Sequence, residues 1–244
     1  MKEKVMQTPL ALAAIILSVG IVIAAGIGAY AAYAIKSFDN GLTVTGSAKT
    51  RVQADSAKWT LNLTRSATEA TLQAGYDKMA ADLQKTRAFL SAKGFTDDQI
   101  TVVPVSVSEV YHSDTYSGPK SYTLTQTVTV QSDDTAKVGQ VAGEVQGLVA
   151  QGVFAQANAP EYYYSKLADL RVSLLSDAVH DAKARAEQIA KSNGNSVGAL
   201  KAASSGVVQV LAPNSIEIQD AGQYDTTTVE KDVTATVRAT FVIK

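Results

Sequence analysis

The hydrophobic pattern of this chain changes character once, near residue 36. From Pro9 to Ile35 no position is charged, and almost every side chain is apolar or small. A bilayer core of about 30 Å is crossed by about 20 helical residues, so this run is long enough to span it with some tilt. A helix satisfies its own backbone groups inside hydrocarbon and is the expected form. Beyond residue 36 the pattern alternates between period 2 and period 3.6, as a layered domain requires. Leu42–Val52 reads as a strand, with Gly46 marking a bulge or a close backbone contact. Ala57–Thr64 alternates more cleanly, placing Trp59, Leu61 and Leu63 on one face. Further strands are expected at Ile100–Tyr111, Ser121–Gln131, Val153–Tyr164, Val207–Leu211 and Val233–Lys244. Pro104 inside the first of these argues for a sheet edge or a bulge.

Three helices lie between the strands. Ser66-Ala67-Thr68-Glu69 has the form of a capping box, and Leu72, Tyr76, Met79, Leu83 and Leu90 then follow helical spacing up to Gly94. Asp133-Asp134 opens a second helix, which runs to Gly152. Ser165–Ser192 is the longest; its stripe changes from Leu167, Leu170 and Leu174 to Ala178, Ala182 and Ala186, ending at Ile189. Small side chains there let the helix press close against a sheet or a partner helix. The stretch 213–231 lacks periodicity and reads as a long loop or a protruding hairpin. The expected fold is therefore α+β: an N-terminal transmembrane helix, then a domain of mostly antiparallel sheet with three long packed helices.

The flanks of the apolar run set its orientation. Lys2 and Lys4 precede it and only Lys36 follows directly, which favours a cytoplasmic N-terminus. The expected organisation is a cytoplasmic tail (1–8), a transmembrane signal anchor (9–35), a linker (36–41) and an extracytoplasmic domain (42–244). The protein is thus expected in the inner membrane as a single-pass species with its main domain periplasmic or extracellular. The competing form is a signal peptide cleaved after Ala29-Tyr30-Ala31, but the apolar core is long for a signal peptide. Gly20, Ala24, Gly28 and Ala32 form a small-xxx-small ladder, the kind of face on which helix backbones approach closely.

Composition narrows the chemistry. A formal net charge of -1 gives no basic excess for nucleic acid. The absence of cysteine removes disulfides, thiolate metal sites and a cysteine nucleophile. The two histidines, His112 and His180, are not in a metal-binding pair, and His180 with Asp177 and Asp181 reads as a solvated helix face. No nucleophile elbow or phosphate loop is present. Neither catalytic residues, cofactor nor metal site is therefore expected. The one aromatic concentration, Tyr162-Tyr163-Tyr164, offers with Tyr224 of the late loop a surface for a ligand or partner, carried by Tyr162, Tyr164 and Tyr224.

Several segments resemble the SIMPL-domain family. Leu42-Thr43-Val44-Thr45-Gly46 is similar to its opening strand, and Ala54-Asp55 stands where the family usually has Pro-Asp. Lys93-Gly94-Phe95 with Asp98 and Ile100-Thr101 resembles its helix exit and third strand. The run Asp181–Ala190, then Gly194 and Val197-Gly198, resembles its alanine-rich helix and double-glycine exit. The resemblance implies an extracytoplasmic α+β domain, in some members large homo-oligomeric rings, and in bacterial members a link to oxidative-stress tolerance; it supplies no catalytic residues. The functional expectation is a non-enzymatic, membrane-anchored protein that associates with itself as a ring or cage, a cell-envelope scaffold touching the bilayer through residues 9–35. The alternative is an extracytoplasmic binding module for a small ligand or envelope component.

Overall fold

The computed structural model describes residues 4–37, 41–111, 118–215 and 222–244. The apolar run forms one helix, α1 (Lys4–Ser37), followed by strands β1 (Gly41–Gln53) and β2 (Ser56–Thr68). Helix α2 (Leu72–Ala92) leads into β3 (Ile100–Val102), β4 (Ser106–Val110) and β5 (Ser121–Ser132). Two short helices, α3 (Thr135–Gly143) and α4 (Gln146–Ala150), precede the short strands β6 (Ala155–Ala157) and β7 (Glu161–Tyr163). Helix α5 (Leu167–Ser192) is followed by β8 (Val197–Ser205), β9 (Gln209–Leu211) and β10 (Glu230–Ile243). The fold is α+β, and the ladders of β2 with β5, β6 and β7, of β5 with β3 and β4, and of β10 with β8 and β9 are all antiparallel.

The chain divides into two compact units. The first comprises Met1–Ala48, Leu175–Gly206 and Ala235–Lys244; the second comprises Lys49–Leu174 and Val207–Thr234. In the first, the sheet runs β1-β10-β8. Its core is small: Val44, Val237, Ala239 and Phe241 from the strands meet Ala178, Ala182 and Ala186 of α5. The alanine stripe faces the sheet, and it ends at Ala190 rather than at Ile189, which is half exposed. Gly46 explains the small side chains. A Cβ built there would lie 2.2 Å from the carbonyl oxygen of Ala178 and 2.4 Å from the amide nitrogen of Ala182. The strand and helix backbones touch at this point, which is the close contact that the glycine signalled.

In the second unit, the sheet runs β3-β5-β2-β6, with β4 also on β5 and β7 also on β2. Trp59, Leu61, Leu63, Leu124, Val128 and Val130 face a core completed by Met79 and Leu90 of α2 and by Val138, Val141 and Leu148. Pro104 sits at both expected features at once. Val102 pairs with Val128 and Ser106 with Thr125, so three residues of the outer strand oppose two of β5, a bulge on a sheet edge. The Gln126 amide opposite it donates to the Val103 carbonyl at 3.2 Å.

Several boundaries differ from the sequence expectation. The first helix starts at Leu72, because β2 keeps pairing with β5 as far as Thr68 opposite Ser121. The cap is made by Thr68 and Thr71 around a short 3-10 turn, not by Ser66. The second helix is broken at Glu144-Val145 into α3 and α4, so α2 and α5 alone are long among the described helices that follow α1. At the break, Glu144 is held by Lys93 and by Gln140. The strand expected at Val153–Tyr164 is two short pieces either side of Pro160, which has no amide hydrogen for a ladder. β8 has little strand signal in its sequence: its Gly, Ala, Ser and Lys residues have weak strand preference and are mostly exposed.

Candidate functional site

The four small residues of the apolar helix lie on one exposed face. Every residue from Leu12 to Tyr33 is exposed, and an added Cβ at Gly20 or Gly28 would meet nothing within 4 Å. Gly20 and Ala24 lie in a shallow apolar recess with Ala13, Ile16, Leu17 and Ile21. The hydroxyl of Ser18 donates back to the Ile15 carbonyl at 2.8 Å, so it asks nothing of its surroundings. Tyr30 and Tyr33 are exposed near the end of the helix that leads into the linker.

In the second unit, residues 222–229 of the late loop form a strap. The Tyr162 amide donates to the Thr226 carbonyl at 2.7 Å and the Asp225 amide to the Val210 carbonyl at 2.8 Å. The strap thus hydrogen-bonds to β7 on one side and to β9 on the other. Its conformation is set by the sequence Asp225-Thr226-Thr227-Thr228, a turn in which a carboxylate caps the residues that follow it. Asp225 accepts from the amides of Thr227 and Thr228, both at 3.1 Å, and from both hydroxyls. Burial acts to raise this carboxyl, but the threonine donors outweigh it and hold Asp225 far below the usual carboxylate range.

Lys231 fastens the strap from beneath. Its side chain is fully buried, and its ammonium donates to the carbonyls of Asp225 at 2.6 Å and Thr228 at 2.7 Å, with Asp225 Oδ2 at 3.5 Å. Burial lowers its pKa, and Asp225 opposes the shift. Next to it, Asp232 accepts from Arg51 Nε at 2.8 Å and is ion-paired with Lys49 at 2.7 Å; these cations, Arg51 first, hold its carboxyl far below its ordinary value. Asp55 caps the turn into α5 through the amide and hydroxyl of Ser165 at 2.7 and 2.8 Å.

The three tyrosines expected to form a surface are not brought together as one. Tyr162 packs with the core, and its hydroxyl lies 2.9 Å from where a Cβ on Gly139 would stand. The Tyr224 hydroxyl accepts from the Tyr164 amide at 2.9 Å, joining those two residues through backbone. Tyr163 is the ring next to Tyr224, with centroids 6.0 Å apart, and its hydroxyl donates to Glu161 Oε2 at 2.8 Å. Strand alternation placed Tyr163 opposite Tyr162 in direction, a signal available in the sequence. His112 lies outside the described residues. His180 is exposed on α5, while the neighbouring Asp181 accepts from the Ser47 amide and from Arg185 Nε, both at 2.8 Å. Among the described residues no group of three His, Asp or Glu side chains converges as a metal site would require.

Sequence reasoning also missed a buried ion pair. Asp82 of α2 is almost fully buried and takes a two-pronged bond from Arg65 of β2, at 2.5 and 2.8 Å. Arg65 donates as well to the Gly152 carbonyl at 2.6 Å and lies over the exposed ring of Phe154. The pair ties α2 to β2 and to the end of α4.

An α+β domain of antiparallel sheets, carried behind an exposed apolar helix, is the class these features define. The chain belongs to the SIMPL family, described as proteins of unknown function (DUF541), whose model matches residues 42–241. No curated protein matches the chain. The helix ahead of the domain has the length and composition of a membrane anchor or of a signal sequence.

Proposed function

We propose that this protein is a non-enzymatic, membrane-anchored extracytoplasmic module that associates with itself, as a ring or cage, to scaffold the cell envelope, with a role in stress tolerance. The observation that carries the reading is the apolar helix. Its side chains from Leu12 to Tyr33 are all exposed, so it needs lipid or other helices around it, and it presents Gly20, Ala24, Gly28 and Ala32 for close approach. The non-enzymatic part of the reading rests on the strap. Its acid and its ammonium spend their hydrogen bonds on the fold itself.

The test is the mass of the full chain in mild detergent beside a form beginning at Ser37. The same discrete assembly from both assigns self-association to the domain. An assembly from the full chain alone assigns it to the helix, and Gly28→Leu then disperses it. Monomers in both cases overturn the proposal. The alternative, a binding module, is favoured by a shallow hollow of about 240 Å³ lined by Thr64, Val149, Phe154, Ala155 and Gln156. Replacing the exposed Phe154 of that hollow by alanine is then expected to abolish binding while the fold survives.

A further inference from the structure

Tyr163 and Tyr224 stand together although they are far apart in sequence: β7 supplies one and the strap the other. Their ring centroids are 6.0 Å apart and their planes are inclined by 31°. Both are half-buried, open to a small reagent but partly screened from a second protein. The Tyr163 hydroxyl already points its proton at a carboxylate, Glu161 Oε2, at 2.8 Å. The Lys58 ammonium lies 3.7 Å from the same carboxylate oxygen. A phenol gives up an electron more readily when its proton leaves in the same step to a base within hydrogen-bond reach. Within the domain, residues 42–244, the usual competitors are out of the way: cysteine is absent, and its one tryptophan and one methionine, Trp59 and Met79, are fully buried.

We propose that Tyr163 and Tyr224 are a paired oxidation site, which a one-electron oxidant of the peroxyl-radical class converts to a dityrosine cross-link between β7 and the strap. Two peroxyl radicals each take one electron and one phenolic proton and become hydroperoxides; the proton of Tyr163 travels through Glu161. The two phenoxyl radicals then join through ring carbons next to their oxygens. The displaced ring hydrogens move to the oxygens and restore both phenols. The protein loses two hydrogen atoms in all, and the strap becomes covalently fixed to the sheet. The chemistry is independent of the self-association reading, because both rings belong to one chain.

The experiment exposes the full chain, dilute in mild detergent, to peroxyl radicals from an azo initiator in air. Dityrosine fluorescence and the mass of proteolytic peptides are read. The expected product is a monomer lighter by two hydrogens, with one peptide pair linked through Tyr163 and Tyr224. Tyr163→Phe abolishes that pair, Tyr111→Phe leaves it, and Glu161→Gln lowers its initial yield. Linkage through other tyrosines, or between chains only, overturns the proposal. So does persistence of the fluorescence in a folded Tyr163→Phe variant. An unchanged yield in Glu161→Gln overturns the part given to the carboxylate.

Discussion

Replacing Gly46 by alanine tests the packing of the first unit most directly. The new methyl carbon would stand 2.2 Å from the Ala178 oxygen, 2.4 Å from the Ala182 nitrogen and 2.7 Å from the Ala182 Cβ. Two of these three are backbone atoms of a helix, so no rotamer change relieves the clash. To reach ordinary contact distance the helix must move by about 1 Å or more along its contact with β1, and over-packing of this kind costs about 1–3 kcal/mol or more. The upper end applies here, because the displaced helix also loses its fit over Val44, Val237, Ala239 and Phe241. A loss of about 3 kcal/mol lowers the folding constant by about two orders of magnitude. The assay is urea unfolding of the full chain in mild detergent, followed by the circular dichroism of the helices. Gly143→Ala is the matched control: it sits at the end of α3 with open space around its Cβ position, and is expected to be neutral or slightly stabilising. A Gly46→Ala protein within about 0.5 kcal/mol of the parent, the scatter of harmless substitutions, would refute the reasoning.

The same contact has an acid dependence. The Asp181 carboxyl is held below its ordinary 3.8 chiefly by the Ser47 amide, with Arg185 adding to it against burial. Its stabilising share is therefore complete above that ordinary value and is lost as pH falls through the lower folded one. Urea midpoints between pH 5 and 2 should fall less steeply in Asp181→Asn than in the parent; equal slopes would contradict the assignment. Lys231→Met strands the carbonyls of Asp225 and Thr228, and thermal unfolding should report a loss of about 1–3 kcal/mol, the cost of leaving buried acceptors unpaired. An arginine at Ile21 costs about 3 kcal/mol at the centre of a span, so Ile21→Arg should reduce the fraction recovered with membranes; undiminished recovery argues against a spanning helix.

Much of this architecture was legible because burial imposes period on sequence. Val233, Ala235, Val237, Ala239 and Phe241 alternate in the chain and are all buried along β10. Gly46 and Pro104 were informative for the same reason: each residue type suits a backbone circumstance, and those circumstances were found. Where tertiary pairing competes with local preference, local pattern misplaces the boundary. Ser66-Ala67-Thr68-Glu69 has good capping chemistry, yet the ladder with β5 holds Ser66–Thr68 extended. Asp82 and Thr86 look like surface residues of a helix, and α2 buries both because Arg65 reaches the one and the other bonds back to the Asp82 carbonyl. The strap was out of reach for a related reason. Its order comes from Lys231, which by type belongs on the surface, and from carbonyls that carry no sequence signature. The tyrosine run by itself does not say which ring faces Tyr224; the strap decides that.

The strand order of the first unit bears on how fast it forms. The central strand of that sheet is β10, and it lies between β1, which follows the apolar helix, and β8. The hydroxyls of Thr43 in β1 and Thr240 in β10 meet at 2.8 Å although 197 residues separate them. Closing so long a loop costs entropy before the contact offsets it, so this pairing is expected to form slowly. The six-stranded sheet draws all its strands from residues 56–163, and its pairings are more local. A change that disrupts β10 leaves β1 and the alanine face of α5 without their shared partner.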